Sequence, residues 1–326
     1  MHNLTGAPYA VAPFGYFLFT ELGVYAFLIA CLVHAGKRRD GALPCLLGGI
    51  TFGLLLEFFE VLSGSYSYGH FWLMLGRAPM DVPLFVGVAW GVIMYTARLF
   101  SDALGLPTFG AAALDTLLAL GIDISMDTVA YRMHFWNWDW NGTGRDPLTA
   151  NWFGIPYGNF VGWITVVFCY SLFSRIFERR LLGKRQNLLL ACSVPMLAVA
   201  TSLAVLCSTE ILMFPALNRI GVTSGPRWLI LALSLMVLTV LGWRRRNPSA
   251  EKPHRLAVWV PAWFHLLFAY CFVVLGFYRE NPWLTIATAT SLLLGIAIHC
   301  FPIRMRSASR EPAPDGEFVG PFLSGR

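Results

Sequence analysis

Charge is scarce in this chain. Of its 326 residues only 13% are Asp, Glu, Lys or Arg, whereas 56% are hydrophobic and the mean hydropathy is +0.60. An ordinary soluble domain has about 25% charged residues, so this composition excludes a water-soluble globular fold. The sequence also contains no Gly-rich phosphate loop and no dinucleotide-binding fingerprint. We therefore predict neither a nucleotide nor a redox cofactor.

Clustered metal-binding or disulfide-forming residues are also missing. The seven cysteines stand singly, without a CxxC motif, and the histidines share no regular spacing with them. We predict that the cysteines serve as small apolar packing residues, and that the protein has no metal site and no cofactor. The net charge of +6 does not require nucleic acid as a partner, because basic loops beside anionic lipid account for it.

Long apolar runs are what the chain has in abundance. They reach about 17–25 residues, the length that a helix needs to cross the hydrocarbon core of a bilayer. We predict an all-α, polytopic transmembrane bundle of nine spans; eight and ten stay open, because the seventh run is short and Pro195 interrupts the sixth. Residues 1–301 would form one transmembrane domain and 302–326 a disordered cytoplasmic tail. The predicted spans are 11–34, 42–64, 82–100, 109–131, 156–176, 187–213, 228–243, 257–278 and 282–301.

The distribution of basic residues predicts the orientation of the bundle, because cytoplasmic loops accumulate Lys and Arg. Most of the 24 basic residues fall on one side of a nine-span bundle, in the tail and in the loops that follow the first, fifth and seventh runs. We expect an integral protein of the cell membrane, with its N-terminus outside and its C-terminus in the cytoplasm.

Acidic residues lie inside the apolar runs, whereas the pattern places Lys and Arg at the run ends and in loops. A charge at the bilayer centre costs roughly 2.5–3.5 kcal/mol on insertion scales. Without internal cations, we expect several of these acids to be protonated or gathered around water. The seven acids are Glu21, Glu57, Glu60, Asp115, Asp123, Asp127 and Glu210.

Two pairs of these acids share a helix face. Asp123 and Asp127 are four residues apart, and Glu57 and Glu60 are three apart. Two carboxyl groups so close rarely ionise together, so one acid of each pair is expected to hold a proton. We predict that these four form a catalytic site with Asn159. The other three acids are weaker candidates, since each could instead hydrogen-bond a neighbouring helix or lie at the membrane interface.

Aromatic residues supply the second part of the predicted site. Trp136 and Trp138 belong to a Trp-rich segment between the fourth and fifth runs. Such a segment is typical of an interfacial belt, or it forms a wall whose π faces stabilise a cation. Trp90 and Tyr95 in the third run and Trp163 in the fifth are further candidates for contact with the substrate.

Three strings occur in a fixed order along the chain. They are Ala89-Trp90 with Tyr95, Asp123-Ile124-Ser125-Met126-Asp127, and Phe153-Gly154-Ile155-Pro156 followed by Asn159-Phe160-Val161-Gly162-Trp163. With these strings, the chain resembles the CruF-type carotenoid biosynthesis proteins over roughly residues 20–180. The resemblance implies a membrane hydratase, a hydro-lyase that adds water to the terminal double bond of an acyclic (ψ-end) carotenoid and forms a tertiary alcohol. Its partners would be a hydrophobic isoprenoid, water and membrane lipid.

The residues suggest acid catalysis without a cofactor. Asp127 or Asp123 would protonate the alkene, aromatic faces would stabilise the carbocation, and water held by Glu57, Glu60 or Asn159 would capture it. Three alternatives stay open. A terpenoid or carotenoid cyclase would quench the same cation with another double bond. A magnesium-dependent prenyltransferase of the UbiA type would use the two aspartates as a DxxxD motif. A proton-coupled lipid transporter would use the acids as a proton path.

Overall fold

The structure, a computed structural model, describes residues 9–38, 41–140, 143–182, 187–247 and 253–308. Within these ranges nine helical spans are long and apolar enough to cross a membrane, which confirms the predicted all-α bundle. The helices are α1 (Phe14–Lys37), α2 (Ala42–Leu62), α3 (Leu84–Ala103), α4 (Thr108–Arg132), α5 (Tyr157–Phe177), α6 (Leu188–Ser208), α7 (Phe214–Arg219), α8 (Ser224–Arg244), α9 (Leu256–Val274) and α10 (Pro282–Ala308).

The observed spans extend beyond the apolar runs at several ends. A π-helical turn, Glu178–Leu182, prolongs α5, and a second, Thr209–Met213, joins α6 to the short helix α7. The sixth span therefore reaches residue 219, where the apolar pattern alone predicted 213. Helix α10 covers residues 302–308 of the predicted disordered tail. The rest of that tail, 309–326, lies outside the described residues, so its disorder stays a prediction.

Helices α3, α4 and α5 lie at the centre of the bundle. In the apolar window of α3, 83% of the residues are buried, compared with 17% in α10. A helix that is hydrophobic all round and buried belongs to the interior of a bundle, whereas the peripheral helices expose large apolar side chains suited to lipid. Several polar side chains of the three central helices, including Asp115, Asp123 and Asp127, are therefore buried against protein.

Glycines let α2 and α3 approach closely. A Cβ atom at Gly53 of α2 would lie 2.5 Å from the Cβ of Trp90, which is shorter than any real van der Waals contact. A Cβ atom at Gly91 of α3 would lie 2.4 Å from the side chain of Ile50. This close approach places the indole of Trp90 against Gly53, which lies one helical turn before Glu57 on α2.

Two loops form a common cover at one end of the central helices. Strand β1 (Ser67–Tyr68), in the α2–α3 loop, pairs antiparallel with β4 (Trp136–Asn137), in the α4–α5 loop, so that Tyr68 stands opposite Trp136. The α2–α3 loop also contains a short hairpin of β2 (Met74–Leu75) and β3 (Val82–Pro83). The pairing of β1 with β4 fixes the two loops relative to each other above the helix ends.

A buried ion pair fastens the same end of the bundle. The Arg132 side chain is fully buried and donates to both carboxylate oxygens of Glu280, over 2.7 Å from Nε and 2.5 Å from Nη2. The hydroxyl of Tyr9 donates to the same carboxylate over 2.7 Å. Burial, followed by the hydrogen bond and the charge of Glu280, raises the pKa of Tyr9 to about 12. These contacts join α4, the α9–α10 connection and the N-terminal segment.

Candidate active site

Asp123 and Asp127 lie one turn apart on α4 and are both buried, with 0% and 3% of their surface exposed. Asn159 of α5 donates from Nδ2 to Oδ2 of Asp127 over 2.6 Å and reaches the two oxygens of Asp123 at 3.3 and 3.4 Å. The amide nitrogen of Asn159 thus contacts both carboxyl groups, which places the two acids side by side. Two carboxyl groups so close rarely ionise together, so one of the two is expected to hold a proton. The pair can therefore hold one exchangeable proton away from bulk water.

The turn that precedes α5 sets the position of Asn159. Phe153 and Gly154 both have positive φ, 50° and 94°, and a Cβ atom at Gly154 would lie 2.5 Å from the carbonyl oxygen of Pro147. Pro156 then stands directly before α5, where its fixed φ suits a helix start. The Gly-Ile-Pro string thus begins α5 beside α4, so that Asn159 in its first turn meets both aspartates.

Glu57 of α2 is the centre of a second group of hydrogen bonds. Its Oε1 accepts from the indole Nε1 of Trp90 over 2.6 Å, and its Oε2 accepts from the hydroxyls of both Tyr66 and Tyr68. Burial, followed by the charge of Glu57, raises the pKa of both tyrosines well above the usual value. The two hydroxyls therefore stay protonated at neutral pH and act as donors. No Lys or Arg among the described residues forms an ion pair with this carboxylate.

A pair of tryptophans connects Glu57 to the aspartates. The rings of Trp90 and Trp163 pack with centroids 4.0 Å apart at an interplanar angle of 32°. Trp163 lies one turn from Asn159 on α5, and Glu57 is near enough to act electrostatically on Asp127. The structure therefore brings together Asp123, Asp127, Asn159, Glu57, Trp90 and Trp163. We call these six residues the dyad cluster.

The Trp-rich loop covers this cluster. Trp136 packs edge-to-face on Tyr68, with centroids 6.4 Å apart, and Trp138 packs in the same way on Tyr66 at 6.1 Å. Trp138 also contacts Tyr131, one turn beyond Asp127 on α4. Both tryptophans are buried, so in this structure they form an inner wall rather than an exposed interfacial belt. Within the described residues, the buried Nε1 of Trp136 and the hydroxyl of Tyr131 have no hydrogen-bond partner.

Four of the predicted acids lie outside the dyad cluster, and three of them also lie outside any ion pair among the described residues. Glu21 is buried and accepts from the backbone N–H groups of Trp72 and Leu73, over 2.8 and 3.0 Å, and from the Tyr25 hydroxyl over 2.8 Å. These bonds hold the α2–α3 loop against α1. Glu60 is half-buried one turn beyond Glu57. Glu210 is exposed in the second π-helical turn and interacts electrostatically with Glu60.

Asp115 lies in a different polar group, two turns from Asp123 on α4. Its Oδ2 accepts from Arg175 over 2.7 Å and from Ser171 over 2.6 Å, and Arg175 also donates to Asp102 over 2.8 Å. The expectation that Asp115 lacks an internal cation is therefore wrong. The sequence pattern placed Arg175 in a cytoplasmic loop, but its side chain turns back into the protein and is buried. We call Asp102, Asp115, Ser171 and Arg175, with Arg98, the arginine cluster.

Tyr95 belongs with the arginine cluster rather than with the dyad cluster. Its hydroxyl lies 2.7 Å from Nδ1 of His34. Its side chain lines a small cavity, of about 10 Å³, together with Arg98, Asp115 and Arg175. A cavity of this size has room for about one water molecule and not for an isoprenoid. The structure thus separates Tyr95 from the other aromatic residues proposed for the site.

Sequence reasoning missed Tyr66 and Tyr68. The signal that could have found them is the string Ser65-Tyr66-Ser67-Tyr68-Gly69, which directly follows the acidic helix. Two tyrosines two residues apart point to the same side of an extended chain, so both could reach one carboxylate. Arg175 carried no comparable signal, because it lies 60 residues from Asp115.

Within the described part of the chain, no group of three or more His, Cys, Asp or Glu side chains is arranged to hold a metal ion. A family model described as "Carotenoid biosynthesis protein" matches residues 15–226. No curated protein and no solved structure matches the chain. The matched region contains the dyad cluster, its aromatic cover and the arginine cluster.

Proposed function

The chain belongs to the carotenoid biosynthesis protein family, and we propose that it is a membrane hydratase that adds water to the terminal double bond of an acyclic, ψ-end carotenoid. The observation that supports this proposal best is the buried aspartate pair held by Asn159. Protonation of an alkene needs an acid that keeps its proton at neutral pH and is shielded from water.

The first step is proton transfer from the aspartate pair. Asp127 or Asp123 gives the shared proton to the less substituted carbon of the double bond, and the π electrons form the new C–H bond. Asn159 donates to Asp127 over 2.6 Å and lies 3.3 and 3.4 Å from the oxygens of Asp123, so it holds both carboxyl groups in place. It also stabilises the negative charge that the proton transfer leaves on the pair. The positive charge then lies on the tertiary carbon.

The second step is stabilisation of this carbocation. The Trp90 ring hydrogen-bonds Glu57 and packs on Trp163, which lies one turn from Asn159, and an aromatic face attracts a cation over distances up to about 6 Å. Trp136 and Trp138 in the loop cover limit the access of bulk water. Glu57 contributes a nearby carboxylate that no Lys or Arg pairs with in the described part of the chain.

The third step is capture of the cation by one water molecule. Its oxygen forms the C–O bond, and its proton returns to the aspartate pair, so that alkene and water combine to a tertiary alcohol without a cofactor. Asn159, Glu57 or Glu60 would hold this water. The Tyr131 hydroxyl and the Trp136 indole N–H are further candidates, since both are buried without a partner among the described residues.

The membrane supplies the substrate. The nine spans found among the described residues suit an apolar isoprenoid dissolved in lipid, and an odd number of spans would place the termini on opposite sides. We propose a location in the cell membrane with the N-terminus outside, because the basic residues gather in the loops at the other side. The dyad cluster would then lie near the outer end of the bundle.

A cyclase is the second candidate, because the same acid and aromatic rings would serve it. The polar oxygen and nitrogen atoms around the aspartates favour hydration, since a cyclase has no water to hold. The prenyltransferase and transporter hypotheses are less well supported. In the described structure Arg132 of α4 pairs with Glu280, and Arg98 and Arg175 pair with acids of the arginine cluster, so these cations are already occupied.

Expression in cells that make lycopene tests the proposal. The parent chain should yield a product heavier by one water molecule, whereas a cyclised product would keep the mass of lycopene. Asp127→Asn and Asp123→Asn should each lower the rate roughly 10²–10⁴-fold, because they remove an acid but keep the side-chain shape. Product mass and pigment yield are measured at equal membrane abundance. An unchanged pigment profile for the parent, across several acyclic carotenoids, would remove the hydratase proposal.

A further inference from the structure

We propose that Tyr66 and Tyr68 are positioning residues that hold Glu57 as a fixed negative charge beside the carbocation. In this arrangement Glu57 stabilises the cation, and the Asp123–Asp127 pair alone exchanges the proton. The inference rests on the proposed hydration reaction and assigns separate roles to the carboxyl groups of the dyad cluster.

The hydrogen bonds of Glu57 support this role. All three of its donors are neutral groups, the indole of Trp90 and the two tyrosine hydroxyls. An indole N–H cannot accept a hydrogen bond, so Oε1 must act as an acceptor. Burial by itself disfavours the charged form, whereas three donors directed at the carboxylate favour it. Neutral donors keep the full negative charge available, which an arginine partner would neutralise.

The loop cover fixes both tyrosines in position. Tyr68 belongs to β1 and stands opposite Trp136 of β4, and Tyr66 packs edge-to-face on both Tyr68 and Trp138. Their raised pKa values, caused by burial and then by the charge of Glu57, keep both hydroxyls protonated well beyond neutral pH. The donors are therefore rigid and permanently neutral, as a positioning role requires.

The proton balance assigns exchange to the aspartates. When the pair gives its single proton to the alkene, it carries two negative charges and becomes a strong base. It then takes the proton that water loses as the C–O bond forms. Glu57, which already accepts three hydrogen bonds, is a weaker base and keeps the same charge throughout. Its bond to the Trp90 indole also polarises that ring, which strengthens the attraction between the ring and a cation.

Substitution of each tyrosine tests the inference. Tyr66→Phe and Tyr68→Phe each remove one donor, so each should lower the hydration rate about ten- to hundred-fold and move the acidic limb of the pH–rate profile to higher pH. The matched control is Tyr25→Phe, which removes the same kind of bond at Glu21, outside the dyad cluster. This control should keep the parent rate and pH profile.

A double-mutant cycle separates positioning from general damage. In a Glu57→Gln background, either phenylalanine substitution should cause no further loss, because the tyrosines act through the charge of Glu57. Losses that add to that of Glu57→Gln, or a pH profile identical to that of the parent, would overturn the inference.

The outcomes distinguish the two proposals. A parent protein that never forms a hydrated product overturns both the reaction and the tyrosine role. A parent that hydrates lycopene, with tyrosine variants that behave like Tyr25→Phe, overturns the tyrosine role alone. If a phenylalanine variant fails to accumulate, 3-fluorotyrosine at the same position provides a second measurement. Being a stronger donor, it should move the acidic limb to lower pH, and a shift to higher pH would also overturn the inference.

Discussion

The dyad cluster and the arginine cluster contain the same acidic residue type on the same helix, with opposite surroundings. Asp115 has a guanidinium at 2.7 Å, whereas Asp127 has the neutral amide of Asn159 at 2.6 Å and the carboxyl group of Asp123 beside it. A nearby cation favours the ionised form of an acid, whereas a second acid favours the retention of one proton by the pair.

This difference indicates that burial alone does not make an acid functional. Both Asp115 and Asp123 are buried to a similar degree, with 1% and 0% exposure. The residue beside the acid determines its role. An acid that pairs with a cation holds helices together, whereas an acid that shares a proton with a second acid can transfer it. The arginine cluster also fastens α3 to α5 through Asp102. We therefore expect substitutions in the two clusters to affect different properties.

The sharpest test of this comparison is Asp115→Asn. It leaves the buried Arg175 without one of its two carboxylate partners, and breaking a buried pair costs about 3–5 kcal/mol. Thermal stability in detergent should fall, while the hydration rate per folded molecule should match that of the parent. Asp127→Asn should show the reverse pattern. If Asp115→Asn abolished hydration at normal abundance and stability, the division between the clusters would be wrong.

A smaller effect is expected at the tryptophan pair of the dyad cluster. Trp163→Leu removes one aromatic face, and a cation–π contact is worth about 0.5–2 kcal/mol, so the rate should fall roughly 2- to 30-fold. The hydration rate at saturating substrate measures this loss. Trp259→Leu is the control, because that tryptophan is 65% exposed on α9. Equal rates for both variants would show that the Trp163 ring does not stabilise the cation.

The smallest effect concerns alkaline pH, where tyrosines titrate and arginines do not. The folded protein raises the pKa of Tyr9 to about 12, above its ordinary value near 10. The stabilising contribution of this tyrosine is therefore complete below about pH 10 and is lost as the pH rises toward about 12. Unfolding temperatures measured over this range should decline more for the parent than for Tyr9→Phe. Parallel curves would contradict the assignment.

The fold was largely predictable from the sequence, because the number of spans depends on a local quantity, the length of each apolar run. The span ends were less predictable. Helix α8 begins at Ser224, before its apolar run, since helical hydrogen bonding continues through polar residues near the interface. The acid pair on α4 was also predictable, because a spacing of four residues places two side chains on one helix face.

Much of the rest of the site was not predictable, because it depends on how loops and helices pack. Tyr66 and Tyr68 lie only nine and eleven residues from Glu57, but the pairing of β1 with β4 sets their positions, and Trp90, 33 residues away, reaches Glu57 where Gly53 lets α2 and α3 approach. The position of Tyr95 was also not predictable. It lies five residues after Trp90 on α3 and lines the cavity beside the arginine cluster, so its predicted contact with the substrate stays a prediction.

The sequence by itself determined a helical bundle of about nine spans and an acid pair one turn apart, because the bilayer thickness and the helical repeat act on neighbouring residues. Only the tertiary structure decided which acid meets an arginine and which meets neutral donors. Asn159 reaches Asp127 across 32 residues and Arg175 reaches Asp115 across 60. Helix packing brings these residues, which are distant in sequence, into contact. It also excludes water, so that neighbouring protein groups set the environment of each acid.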